Sequence, residues 1–283
     1  MTSRFAHDTA VHDLGGGQFG ATIDRGWWIV RGPNGGYVAA IVLRAMQSTV
    51  NDDTRHPRSL TVHFTAAPAE GPVVVHTTVE RAGRSITTVT ARLIQNERVC
   101  AFAIGAFSDV WPGPEVQDRS RPVAPPPEQC AVDAFEPPKR AAGASASPPA
   151  FTPPPLTDRY DMRWAIGSPP RTDGDQALAG GWIRFSDPHL MDACAAAAVS
   201  DAWIPPIFSR VQEPMVVPTI DLTVHFRSRL PLLDAADDDW LLCMFRTTGV
   251  QEGFLEEDGE IWSRDGRLLA HSRQLAVAMP FAP

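Results

Sequence analysis

Asp201 lies near the end of a run, LMDACAAAAVSDAW (190–203), whose other side chains are mostly small and apolar. Read as a helix, the run puts Asp201 on one stripe with Cys194, Ala197 and Ala198. It also puts the acid at the helix C-terminus, where the dipole disfavours negative charge. A carboxylate so placed gives the fold nothing unless it has partners. It is either an exposed acid in the last turn or a candidate general base. Gln274 sits in the alternation Leu268, Ala270, Ser272, Gln274, Ala276, among mostly small neighbours. Such a glutamine has room for a ligand beside it, or else decorates an exposed face. Gly35 and Gly36 precede the apolar run YVAAIVLRAM (37–46). Free N–H groups and positive potential at a helix N-terminus suit a developing oxyanion, and glycine permits close approach. The same pair also serves a simple turn.

Other chemistries find little support. There is no GxSxG elbow, P-loop or GxGxxG stretch. The eight histidines show no metal-ligand spacing, and no metal or other cofactor is expected. His63 and His225 occupy equivalent places in a repeated strand and read as structural. Cys100, Cys130, Cys194 and Cys243 are far apart and read as free thiols of a reducing cytosol. Lys139 is the only lysine and stands in a Pro-rich stretch, which argues against Schiff-base chemistry. A net charge of −8 argues against a nucleic-acid partner. The N-terminus has no apolar signal region, and no apolar run approaches membrane-spanning length, so a soluble, cytoplasmic protein without a membrane partner is expected.

The elements that must position these residues come in two copies. LTVHF occurs at 60–64 and again at 222–226. In each half an apolar helix precedes this strand and a strand meander follows it. The first half offers strands near 59–66, 72–80, 85–95 and 98–108, with a hairpin turn at Asn96-Glu97. The second offers strands near 160–167 and 180–187, the helix, then strands near 218–227, 240–249, 252–263 and 267–279, with a hairpin at Asp265-Gly266. The pentapeptides are offset by 222 − 60 = 162 and the hairpins by 266 − 97 = 169. A seven-residue insertion within 232–239 reconciles the two, and aligns Gln274 with Gly105. Residues 1–110 therefore read as one unit, 111–155 as a Pro-rich linker, and 156–283 as a second unit. One helix wrapped by an antiparallel meander is the plan of the hotdog fold. The expected architecture is an α+β double hotdog, its two antiparallel sheets joined edge to edge into one, like a two-fold dimer within a chain. Self-association through remaining edges and faces stays open.

The stretches GPNGGYVAAIVLRA, RSLTVHFTAAPAEG, VSDAW, PTIDLTVHF and GRLLAHSRQLAVAM resemble the type II acyl-CoA thioesterases, the TesB-like double hotdogs. The resemblance covers both blocks and omits the linker. It implies a thioester hydrolase acting on a fatty acyl-CoA. It also implies a water held by Asp201, Thr219 and Gln274, with Asp201 as general base and a backbone amide near Gly36 as oxyanion donor. An apolar slot between the helices would take the acyl chain, at one site per chain. Thr219 fits awkwardly. Strict alternation puts it with Asp221, Thr223 and His225, away from the helix-packed face, although Pro218 interrupts pairing there. The D-x-N-P-x-H pattern of hotdog hydratases is absent. The rival reading is a non-catalytic binder of acyl-CoA or another lipid, which gives no reason for the trio to stand in one half only.

Overall fold

A computed structural model of the chain describes residues 2–130, 153–172, 174–236 and 238–280. The apolar run after Gly36 forms α1 (Gly35–Val50), buried on nearly every side from Tyr37 to Met46. Asn34 caps its start, accepting from the Tyr37 N–H at 3.0 Å, and Asn51 ends it with φ at 45°. Tyr37 fixes the entry. It stacks on Trp27 with centroids 4.9 Å apart, and its hydroxyl lies 2.8 Å from the Asp8 carbonyl. The alanine run forms α2 (Ala193–Val199), every residue of it buried. This helix is shorter than the expected 190–203. Asp192 caps it, accepting from the Ala195 N–H at 2.7 Å. After Val199 the chain turns, and the Ser200 hydroxyl bonds back to the Ala196 carbonyl at 2.8 Å. Asp201 therefore stands just beyond the helix.

Around the helices the first half lays down β1 (His12–Gly15), β2 (Gln18–Ile23), β3 (His56–Phe64), β4 (Gly71–Ala82), β5 (Ile86–Gln95) and β6 (Arg98–Ser108). The second lays down β7 (Tyr160–Gly167), β8 (Ala177–Phe185), β9 (Thr219–Phe226), β10 (Leu241–Thr247), β11 (Phe254–Trp262) and β12 (Leu268–Val277). All pairings are antiparallel, and the order across the sheet is β1-β2-β4-β5-β6-β3-β9-β12-β11-β10-β8-β7. Counted outward from the centre, each half runs through the same sequence of strands. This is the double hotdog with one continuous sheet. The connection from β9 to β10 is longer than that from β3 to β4, where the offset of the repeat requires an insertion. Asn96 and Glu97 both take positive φ, as the tight hairpin there demands.

The two LTVHF copies pair with each other. Leu222 faces Val62, Thr223 faces Thr61 and Val224 faces Leu60. The two threonines sit at the local two-fold, their hydroxyls 3.0 Å apart. Leu60, Val62, Leu222 and Val224 point to the helix side and are fully buried. Part of the Pro-rich stretch crosses the outer face of the second half. The Trp182 indole donates to the Pro125 carbonyl at 2.8 Å, and Ala124 and Cys130 pack near Trp182, Trp240 and Trp262. Of the expected linker over 111–155, residues 131–152, with Lys139 among them, lie outside the described residues.

Because the seam unites the halves, Leu222→Ala is expected to lower unfolding stability by about 2–5 kcal/mol. Urea unfolding followed by fluorescence should show one transition at lower midpoint. Two resolved transitions would show that the halves fold separately.

Candidate active site

The two helices pack antiparallel, the start of α1 beside the end of α2 at Gly36 and the end of α1 beside the start of α2, where Cys194 donates to Gln47 Oε1 at 3.1 Å. A Cβ at Gly36 would collide with the Ala198 carbonyl oxygen, so only glycine lets the start of α1 approach the end of α2 this closely. The contact brings Asp201 onto the N-terminus of α1. The Gly36 N–H donates to Asp201 Oδ2 at 3.0 Å. Asn34 Nδ2 donates to the same oxygen at 3.0 Å and to the Asp201 carbonyl at 2.6 Å. Because Asn34 Oδ1 is committed to the helix cap, its amide nitrogen must face Asp201. The Asp201 carboxylate thus lies at the favourable end of α1, although it follows the unfavourable end of α2.

Gln274 and Thr219 meet beside this carboxylate. Gln274 is buried on the helix side of β12 with Ala270, Ser272 and Ala276, as the alternation predicts. The Thr219 hydroxyl donates to Gln274 Oε1 at 2.8 Å. Strict alternation would forbid this, but a bulge between Thr219 and Asp221 shifts the register and turns Thr219 inward. Both side chains also interact with the Asp201 carboxylate. Desolvation nevertheless dominates and pushes Asp201 up to about 6, while hydrogen bonds from Gly36, Gly35 and Gln274 act against the rise.

Two residues of this cluster were not among the sequence candidates. Asn34 is one. Its type, one residue before a glycine pair and an apolar run, is an N-cap signal that could have singled it out. Glu257 is the other. It faces Gln274 across the β11–β12 pair and accepts from Gln274 Nε2 at 2.8 Å. Its signal is the alternation Leu255, Glu257, Gly259, Ile261, which puts one acid on a buried face.

Two expectations need correction. The Gly36 N–H does not face open space as an unoccupied oxyanion donor, because Asp201 holds it. The helices are also in contact at Gly36, with Ala195 to Ala198 fully buried, so no acyl slot runs between them at that level. On the outer side of this contact the Phe64 ring lies beside Gly35, where a Cβ would be 3.1 Å from Phe64 Cζ and 2.9 Å from Asp201 Oδ2.

The first half carries no copy of the cluster. Gly105 pairs with Leu60 as Gln274 pairs with Leu222, so the two positions are equivalent across the two-fold. Val89, opposite Gly105, corresponds to Glu257, and Pro57 to Thr219 at the offset of 162. Met46 fills the space beside Gly105, its sulfur 3.2 Å from where a Cβ would stand.

Comparisons with known proteins agree with this architecture. Residues 24–108 match a family profile for the acyl-CoA thioesterase N-terminal domain, and residues 127–278 one for the acyl-CoA thioesterase C-terminal domain. A search of curated protein sequences gives no match. Among solved structures, a hot dog fold protein of unknown function from Alicyclobacillus acidocaldarius superposes with a TM-score of 0.86 at 28% identity, over 100% of both chains. A putative thioesterase II from Thermobifida fusca gives 0.80 at 23% identity over 98% of each chain. The acyl-CoA thioesterase II TesB2 from Mycobacterium marinum gives 0.74 at 20% identity, over 98% of this chain and 99% of that one.

Asn34→Ala removes a helix cap and a donor to Asp201 together. It is expected to cost about 1 kcal/mol of stability. With one hydrogen bond to the ionised form gone, Asp201 should titrate above its value of about 6. Carbon-13 NMR of labelled aspartate carboxyls checks the direction; an unmoved or lowered titration would contradict the geometry.

Proposed function

The chain belongs to the acyl-CoA thioesterase family and is a thioester hydrolase, and from that premise we propose that it hydrolyses a fatty acyl-CoA with a water activated by Asp201, Thr219 and Gln274. The observation that carries the reading is the junction at Gly36, which sets one acid, anchored by Asn34 and a helix N-terminus, beside a paired glutamine and threonine. A base that titrates near 6 is ionised at neutral pH yet basic enough to take a proton from water.

In this mechanism Asp201 and Gln274 orient the water, and Thr219 fixes the amide of Gln274. The water oxygen attacks the thioester carbonyl carbon as its proton passes to Asp201. The carbonyl becomes an oxyanion, which collapses with cleavage of the carbon–sulfur bond. CoA leaves as thiolate, and the fatty acid remains. The Gly36 N–H holds the carboxylate of Asp201 in place for this proton transfer. One such site per chain follows from the apolar residues at the equivalent positions of the first half.

CoA release from a series of saturated acyl-CoAs, short to long, tests the reading. Asp201→Asn, close in size, should lower kcat by about 10²–10⁴-fold and Gln274→Ala by a smaller factor. The kcat/KM of the wild type should rise as pH increases through about 6, because the base must lose its proton first. If acyl-CoAs bind but none turns over, the protein is a lipid-binding double hotdog instead.

A further inference from the structure

Glu257 is a buried acid in contact with the cluster to which the water-activating reading gives no task. It is 4% exposed, on the helix side of β11, directly opposite Gln274. Gln274 Nε2 donates to it at 2.8 Å, while Gln274 Oε1 accepts from Thr219 at 2.8 Å. The two ends of the amide are thus held by different partners. We infer that Glu257 is a positioning residue for hydrolysis, its carboxyl group locking the amide of Gln274 so that the nitrogen faces the acids and the oxygen faces Thr219. This inference rests on the function proposed above.

Packing alone does not call for an acid here. The equivalent position of the first half is Val89, which is fully buried in the same kind of strand pair. An apolar side chain therefore suits this place in the sheet. A buried carboxyl group costs stability unless it is satisfied, and this one is satisfied through Gln274.

The charge state supports the same role. Burial pushes Glu257 up to about 8, and the charges that act on it, Asp201 beyond α2 and Asp258 on its own strand, push the same way. Gln274 on β12 opposes the rise by its hydrogen bond. Arg273, also on β12, is paired with Asp258 at 2.6 Å. At neutral pH Glu257 is therefore a neutral acid beside an ionised Asp201. It accepts the amide N–H without setting a second negative charge beside a developing oxyanion. Once it ionises, two negative charges flank Gln274. The amide is drawn toward Glu257 and the oxyanion is opposed.

The test measures kcat and KM of the full chain from about pH 5 to about pH 9, with uncatalysed hydrolysis subtracted, on the best saturated acyl-CoA. Wild type, Glu257→Val, Glu257→Gln and Asp201→Asn are compared. The valine variant copies the residue that the first half already carries, and should lower kcat about 10- to 100-fold with KM nearly unchanged. The glutamine variant keeps an acceptor and should recover most of that loss. Wild type should lose rate above about pH 8, and Glu257→Gln should not. A purely structural role would leave the pH profile alone. If Asp201→Asn is inactive while Glu257→Val matches wild type, this inference fails and the hydrolase reading stands. If no acyl-CoA turns over, both fail. If the valine variant does not fold, the glutamine variant decides alone, and an alkaline loss that persists in it overturns the inference.

Discussion

The molecule depends on the contact between the start of α1 and the end of α2. Gly36 lies so close to the Ala198 carbonyl that no side chain fits between them. That approach sets the partial positive charge of one helix N-terminus against a carboxylate which its own helix would disfavour. Asp201 stands two residues beyond the end of α2, and its carboxylate is held by the Gly36 N–H and Asn34 Nδ2 at the start of α1. A side chain at position 36 would push the helices apart and strip the half-buried Asp201 of its N–H donor, a costly state for a charge.

The continuous sheet makes that junction possible. Thr61 and Thr223 meet at the two-fold, so the helices are held over one surface and in opposite senses. Symmetry would place a second cluster in the first half. There the same positions carry Pro57, Val89 and Gly105, with Met46 filling the space. One half has kept the polar residues and the other has become ordinary core. The first half is not idle, because Asn34 and Gly36 hold the acid that the second half contributes.

Much of this was legible in the sequence. The repeat, the antiparallel meanders, the joined sheets and the equivalence of Gln274 with Gly105 follow from spacing and alternation. The trio came from family resemblance, and the residues alone left each member open. The misplacements have physical causes. A bulge adds a residue to one strand of a pair, and period-two counting from Leu222 back to Thr219 cannot see it. The expected helix over 190–203 exceeds α2 because alanine propagates a helix well, whereas the Asp192 cap and the turn at Ser200 set its ends. Glu257 is hard to pick out because it stands in EEDGE, a stretch of four acids. The alternation with Leu255, Gly259 and Ile261 separates its second member, which points inward, from Glu256, Asp258 and Glu260, which do not.

The half-buried Asp201 and the buried Glu257 also set a conflict between stability and chemistry. Asp201 and Glu257 both bind a proton more tightly in the folded chain than in the unfolded one. Across the interval from ordinary carboxylate values up to about 6 for Asp201, and up to about 8 for Glu257, folding takes up protons. The stability that the protonated acids permit is thus fully present below their unfolded values and falls as pH rises through the folded ones. A chain selected for stability alone would put Val at 257, as it has at 89, and an amide at 201. Two acids withdrawn from water, in contact through one glutamine, mark where the fold has yielded to another demand. The first half of the same sheet shows what the second would look like without that demand.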